Sequence, residues 1–387
     1  MIPGMFWMGL LWLGYVWIGY PIVLALISRM RRFHAAERDG YCPSVSVLIS
    51  ARNEVKDIGW KLAETFAWNY PPDRIEVLVG SDASADGTDD VVQAFREPRL
   101  TFIRNQDRLG KNATLNRLAR LANGEILFFT DANTHVDPQS LRKMTRHFAD
   151  LRVGCVTGLE RNVLDSQGST LTMGCKAYLE YESCVAQLES RMGSVLVCDG
   201  SIYCVRRSLF SELDPDLAND LEHPIRIGAT GAKLLYEPEA RSFERCSTAA
   251  QEEFSRRRRI AAQGALAILR LRNELHGLRL WQLVSRKLLR WLSLIPLMIV
   301  LATTVALRSS YWFEMLLILQ AFFYIAALAG MWQSGPWRSY PILRLPFTVV
   351  LGNLAVLLGV LDACRGRRFA TWNIAELSRG VGEGQAR

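Results

Sequence analysis

Between Met5 and Ile27 the chain carries no charged side chain, and three more apolar runs, Trp291–Leu307, Trp312–Trp332 and Leu345–Leu361, crowd its C-terminal end. A bilayer core of about 30 Å is crossed by roughly 20 apolar helical residues. This uneven distribution, more than the overall 50% hydrophobic and 22% charged composition, marks an integral membrane protein. Intrinsic disorder and low-complexity architectures are excluded by the same composition. Residues 40–275 have ordinary soluble composition and suffice for one domain with its own core. The first run is followed, not preceded, by Arg29, Arg31 and Arg32, and it is too long for a cleaved signal. It reads as an anchor over residues 1–28 with its N-terminus outside, which places the following domain in the cytoplasm.

The net charge of +8 does not indicate nucleic acid. Three clusters, Arg29 with Arg31 and Arg32, Arg256 to Arg259, and Arg365 with Arg367 and Arg368, hold more cations than the whole surplus. Two of them sit where an apolar run ends, as membrane-rim anchors do, and no groove-reading motif accompanies them. The eight cysteines form no CxxC pair and have no histidine partners at zinc spacing, so they read as reduced, packed thiols.

From Pro43 the pattern becomes short β-rich runs alternating with helical stretches. Val45–Ser50, Ile75–Gly80, Leu100–Ile103 and Glu125–Thr130 are the expected strands; Glu54–Trp68, Thr88–Phe95 and Ala113–Ala122 are the expected helices between them. Such alternation predicts an α/β fold with a mainly parallel sheet, whose ligand lies beyond the carboxyl ends of the strands. Polar clusters follow there: Ala51-Arg52-Asn53-Glu54, Ser81-Asp82-Ala83-Ser84-Ala85-Asp86-Gly87-Thr88, Gly110-Lys111-Asn112 and Asp131-Ala132-Asn133-Thr134. Any one of them is also what a capped loop looks like; their order along the chain carries the weight. Downstream, Val195–Arg207 is a strand candidate with an embedded glycine, Ala218-Asn219-Asp220-Leu221-Glu222 opens a helix, Lys233–Tyr236 is strand-like, and Tyr178–Met192 has amphipathic helical spacing.

These motifs resemble those of family 2 glycosyltransferases with a GT-A fold, over about residues 43–264, and the flanks resemble membrane-bound polysaccharide and glycolipid synthases. The resemblance implies that Glu54 and Asp82 hold the base and ribose of a nucleotide, that Lys111 lies beside it, and that Asp131 with Asn133 stands at the place of an Asp-X-Asp metal motif. The implied cofactor is Mg²⁺ or Mn²⁺, a hard cation that offsets diphosphate charge. Asn133 departs from the pattern, leaving nearby Asp137 as a further oxygen donor. Asp220 takes the place of the catalytic base, with Asn219 where an acidic residue is usual and Glu222 as its alternative; Gly200 would line the acceptor entrance. Arg256 and Arg259 fall where related synthases carry Gln-X-X-Arg-Trp and would meet the diphosphate or acceptor; Ile260 replaces the tryptophan, which weighs against long-chain polymerisation. A lipid-anchoring role for the arginine run is the alternative.

Leu278–Arg290 has the mixed Leu, Trp, Arg and Lys pattern of an interfacial helix, so residues 278–387 would hold that helix, a spanning region and a basic tail. If all three C-terminal runs span, the tail lies outside; if one is re-entrant, it lies inside, as Gly366 to Phe369 and Trp372 suggest by resemblance. The expected protein is an inverting, multi-pass glycosyltransferase of the bacterial inner membrane. It would use a nucleotide-sugar donor, UDP-linked by expectation, and a lipid-linked or growing glycan acceptor. A processive exopolysaccharide synthase working with an export partner, and an inactive nucleotide-binding scaffold, are the alternatives.

Overall fold

The structure, a computed structural model, describes residues 1–163, 170–245, 250–330 and 341–367, so Arg368, Phe369 and Trp372 lie outside the described residues. The first helix, α1 (Ile2–Met30), contains a π-helical turn at Tyr15–Gly19. Then come β1 (Val45–Ala51), α2 (Ile58–Phe66), β2 (Ile75–Ser81), α3 (Thr88–Ala94), β3 (Leu100–Arg104), α4 (Lys111–Leu121), β4 (Ile126–Asp131), β5 (His135–Val136) and α5 (Ser140–Thr145). The second half of the domain is β6 (Val153–Val163), α6 (Thr170–Ser190), β7 (Tyr203–Arg206), α7 (Asn219–Ala229), β8 (Lys233–Arg245) and α8 (Ala250–Arg270). The chain continues through α9 (Gly277–Trp291), α10 (Leu294–Ala306), α11 (Tyr311–Gly330) and α12 (Pro341–Cys364).

The eight strands form one sheet in the order β3-β2-β1-β4-β7-β6-β8-β5. Its first half is parallel, as the sequence predicts; beyond β4 it is mixed, because β7 runs antiparallel to both β4 and β6 and β5 runs antiparallel to β8. The near-continuous apolar strands follow from burial on both faces. Val47, Val77 and Phe128 pack on one face with Ile58, Leu62 and Val92. Leu48, Leu78 and Leu127 pack on the other with Leu115, Leu118 and Ile227. The register pairs Ala51 with Ser81 and Ser50 with Asp131, so the three motif-bearing loops leave the sheet along one rim.

Two strand assignments differ from expectation. Val195–Arg207 forms a strand only at Tyr203–Arg206, because the preceding residues turn around Asp199, whose carboxylate accepts the backbone N–H groups of Glu160 and Ser201. In its place β6 forms with β8, which runs on to Arg245. Gly154 and Gly158 weaken the strand signal of β6, yet they are needed: a Cβ on Gly154 would lie 2.7 Å from Leu209 and one on Gly158 2.7 Å from the Ala240 carbonyl oxygen.

Ile2–Met30, Tyr311–Gly330 and Leu345–Cys364 are long and apolar enough to cross a membrane; α9 and α10, bent by 54°, supply a fourth span if the pair is one broken helix. The domain is docked on these helices. Tyr20 of α1 donates to Glu189 at 2.8 Å, Tyr15 meets Ser285 at 2.8 Å, and the Trp12 indole donates to the Leu289 carbonyl at 3.1 Å. From α9, Arg286 pairs with Glu189 at 2.6 Å and Glu182 at 2.7 Å, Arg290 pairs with Glu182, and Gln282 donates to the Ser194 carbonyl. Burial alone would raise the Glu182 carboxyl, but Arg290 and Arg286 bring it well below the usual carboxylate range. Beside the rim, Asn53 and Ala83 are non-glycine residues in the left-handed region, each with φ of 53°.

Two stability measurements follow from this packing. Glu182→Ala leaves the Arg290 guanidinium without its carboxylate and is expected to cost about 3 kcal/mol, seen as a lower unfolding temperature of the detergent-solubilised protein. Ala83→Gly removes the steric cost of a left-handed alanine and is expected to gain about 1 kcal/mol in the same assay.

Candidate active site

The loops after β1 and β2 hold one another in place. Arg52 donates to the Asp82 carbonyl at 2.7 Å, the Asn53 N–H to the Ser84 hydroxyl at 3.1 Å, the Ala85 N–H to the Asn53 side chain at 3.0 Å, and the Glu54 N–H to the Thr88 hydroxyl at 2.8 Å. Asp86 accepts from the Val55 N–H and the Thr88 hydroxyl. Burial alone would raise its carboxyl; these hydrogen bonds bring it below its ordinary value. Asp82 is buried, and its carboxylate accepts the N–H groups of Leu109 at 2.7 Å and Gly110 at 3.0 Å. It therefore fixes the loop that delivers Lys111, a contact between motifs that sequence spacing does not reveal.

Lys111 opens α4 and its ammonium reaches Asp131 at 2.5 Å, so two of the expected residues meet at the end of β4. Asn133 is exposed and donates through Nδ2 to Glu244 at 3.1 Å, which leaves its amide oxygen as an acceptor. Asp137 accepts the Gln139 N–H and its own carbonyl receives the Ser140 N–H, so it shapes the entry to α5. Under the Asp131–Thr134 turn lies Lys61, fully buried, donating to the Thr130 hydroxyl at 3.1 Å and the Thr134 carbonyl at 2.5 Å. Burial pushes its ammonium down to about 8, with Glu64 and Asp131 opposing the shift. Among the described residues no group of three or more His, Cys, Asp or Glu side chains is arranged to hold a metal ion. One carboxylate and one amide oxygen fit a cation that brings phosphate and water ligands with it, as Mg²⁺ and similar hard ions do.

Asp220 lies at the start of α7, and a Cβ on Gly200 would stand 3.7 Å from its Cβ, so the loop carrying Gly200 faces it directly. Burial raises the Asp220 carboxyl above its ordinary value, while the nearby charges of Lys287, Lys111 and Arg259 oppose that shift. Arg259 sits within electrostatic reach of both Asp220 and Asp131, and Arg256 within reach of Glu244, Glu160 and Asp199. The structure thus brings Lys111 to Asp131 and Gly200 to Asp220, with Arg259 within electrostatic reach of both carboxylates, while Asn133 bonds to Glu244 and Arg256 lies within reach of the same carboxylate. Glu222 points elsewhere: it is buried, accepts the Asp214 N–H and pairs with Arg226 at 2.9 Å. Asn219 donates to the Tyr203 hydroxyl at 2.8 Å, and buried His223 meets the same hydroxyl through Nδ1 at 3.0 Å. Burial lowers His223 to about 3. His135 stacks on Trp60 and pairs with Glu64.

Sequence reading missed Lys61, Glu160, Asp199, Glu244 and Lys287. Burial, with Asp199 and Glu244 close by, pushes the Glu160 carboxyl well up. Asp199 directly precedes the glycine that the sequence singles out, which was the one available signal. Lys287 arrives from α9, far along the chain, and no local pattern announces it.

Residues 46–213 match the family described as Glycosyl transferase family 2. The probable glycosyltransferase YdaM of Bacillus subtilis is 29% identical over 219 residues, covering 52% of this chain and 50% of that protein. A beta-monoglucosyldiacylglycerol synthase of Trichormus variabilis is 25% identical over 213 residues, covering 53% of this chain and 45% of that protein. The matches thus span about half the length of these relatives. Among solved structures, the mannosyltransferase PcManGT from Pyrobaculum calidifontis, in complex with GDP-Man and Mn²⁺, is similar over 94% of this chain and 100% of its own, with a TM-score of 0.73 at 20% identity. Strand order, rim loops and these matches agree: residues 46–213 match the family 2 glycosyltransferases, and the sheet domain that contains them has a GT-A fold, set against helices apolar enough to cross a membrane.

Proposed function

We propose that the protein is an inverting glycosyltransferase that moves a sugar from a nucleotide-sugar donor, UDP-linked in this reading, to a lipid-linked or growing glycan acceptor. The setting is the cytoplasmic face of a bacterial inner membrane, with α1 crossing the bilayer from an external N-terminus and Arg29, Arg31 and Arg32 at its inner end. The observation that carries the reading is the meeting of Asp220, Gly200 and Arg259 with the Lys111–Asp131 pair at the carboxyl rim of the sheet. Glu54 and Asp82, on the loops after β1 and β2, are assigned to the base and ribose.

A sugar or lipid hydroxyl is a weak nucleophile at neutral pH. Asp220 takes its proton as the oxygen attacks the anomeric carbon from the face opposite the departing nucleoside diphosphate. Arg259, within electrostatic reach of both carboxylates, and Arg256 supply positive charge where the diphosphate gains negative charge, and Lys111 adds to it. A divalent cation held by Asp131 and Asn133 would neutralise the same diphosphate. Asn219 is engaged with Tyr203, so its replacement of an acidic residue removes no group from the reacting centre, which weighs against an inactive scaffold. Ile260 is exposed on α8 where a processive synthase of this resemblance carries tryptophan, which favours single transfer.

Asp220→Asn is expected to lower transfer by about 10³-fold while nucleoside diphosphate binding persists, measured as product formation and equilibrium binding on one preparation. Because Asp220 acts ionised and burial raises its pKa, kcat/KM should fall on acidification at a pH above the ordinary aspartate range. Glu222→Gln should leave this acidic limb where it is.

A further inference from the structure

The four consecutive arginines on α8 do not act as one basic patch. At about 100° per residue, positions three apart share a helix face and the two between them take the opposite one. Arg259 accordingly lies within electrostatic reach of Asp220 and Asp131, and Arg256 within reach of Glu244, Glu160 and Asp199. Arg257 pairs with Glu253 at 2.5 Å on its own helix and lies against Gly352 of α12, and Arg258 reaches Asp362 of α12 at 2.6 Å. The side chain of Asp362 is 1% exposed and also pairs with Arg367 at 3.1 Å.

The two helices approach closely at this point. A Cβ on Gly359 would fall 2.9 Å from the Ala261 Cβ, and nearer still to the Arg258 carbonyl oxygen. One turn on, Gly264 of α8 leaves room for the Trp291 ring, which packs with Ala265 and Ala363. This contact holds α8 close against α12, on the side where Arg258 meets Asp362. A carboxylate buried near the end of an apolar helix needs cationic partners, and α8 supplies one of them in Arg258. Here the carboxylate is matched to an arginine of α8, and the rotation of that helix also places Arg256 and Arg259.

We propose that Asp362, on the last apolar helix, is a positioning residue for transfer: by holding Arg258 it fixes the rotation of α8 and so aims Arg256 and Arg259 at the donor diphosphate. This rests on the reading that those two arginines serve the diphosphate. Asp362 itself touches no substrate, and its effect belongs to the donor side of the site.

The test is equilibrium binding of UDP and of GDP, each with Mn²⁺, to the full chain in detergent, in wild type, Asp362→Ala, the double variant Arg256→Ala/Arg259→Ala, and the triple variant. Asp362→Ala should weaken binding of the preferred nucleotide by about tenfold in wild type and add almost nothing in the double-variant background, because coupled residues are non-additive. Asp362→Asn, which keeps size and an accepting oxygen, should lose less and serves if the alanine protein does not fold. Unchanged binding in folded Asp362 variants, or the same loss in both backgrounds, overturns the proposal. If the double variant itself binds as wild type does, the reading of the two arginines fails and the proposal with it, an outcome distinct from the first two.

Discussion

Arg286 and Arg290 reach from α9 to Glu182 and Glu189 on α6, and Tyr20 of α1 closes the same network through Glu189. Charges taken out of water on this scale persist only when each has its partner, so the network fixes three elements to one another at once. Two of those elements, α1 and α9, belong to the membrane-associated part; the third belongs to the sheet domain. The position of Lys287 near Asp220 follows, since it is carried between the two anchored arginines. A soluble copy of the domain without α1 and α9 would lose the Lys287 charge near Asp220 as well as its anchor.

The parallel half of the fold was legible because strand and helix periodicity differ and because each buried strand ends in a polar cluster. Val45–Ser50 and Ile75–Gly80 fall within one residue of β1 and β2. What was not legible depends on distant contacts. The strand β6 hides behind two glycines that exist to let Leu209 and the Ala240 carbonyl approach. Lys61 falls inside an expected helix where no local pattern marks it, yet it is the buried donor beneath the Asp131 turn. Only the fold brings these side chains beneath the rim.

The arginine run illustrates the same point for charge. As a sequence block it could be a lipid anchor or a diphosphate clamp. On α8 it is divided: Arg257 pairs with Glu253 of its own helix, Arg258 pairs with Asp362 of the last apolar helix, and Arg256 and Arg259 lie within electrostatic reach of other carboxylates. The positive surplus that composition reports is thus spent partly on ion pairs between the domain and the membrane helices, and partly on the face that would meet a diphosphate.

The central claim is that the rim of the sheet binds and cleaves a nucleotide sugar. The most direct measurement is nucleoside diphosphate release by the purified protein, across a panel of nucleotide sugars, with membrane lipid extract as acceptor and with or without Mn²⁺. Release from one donor class, dependent on both the extract and the cation, is the predicted result. A folded protein that neither binds nor turns over any nucleotide sugar under these conditions would contradict it.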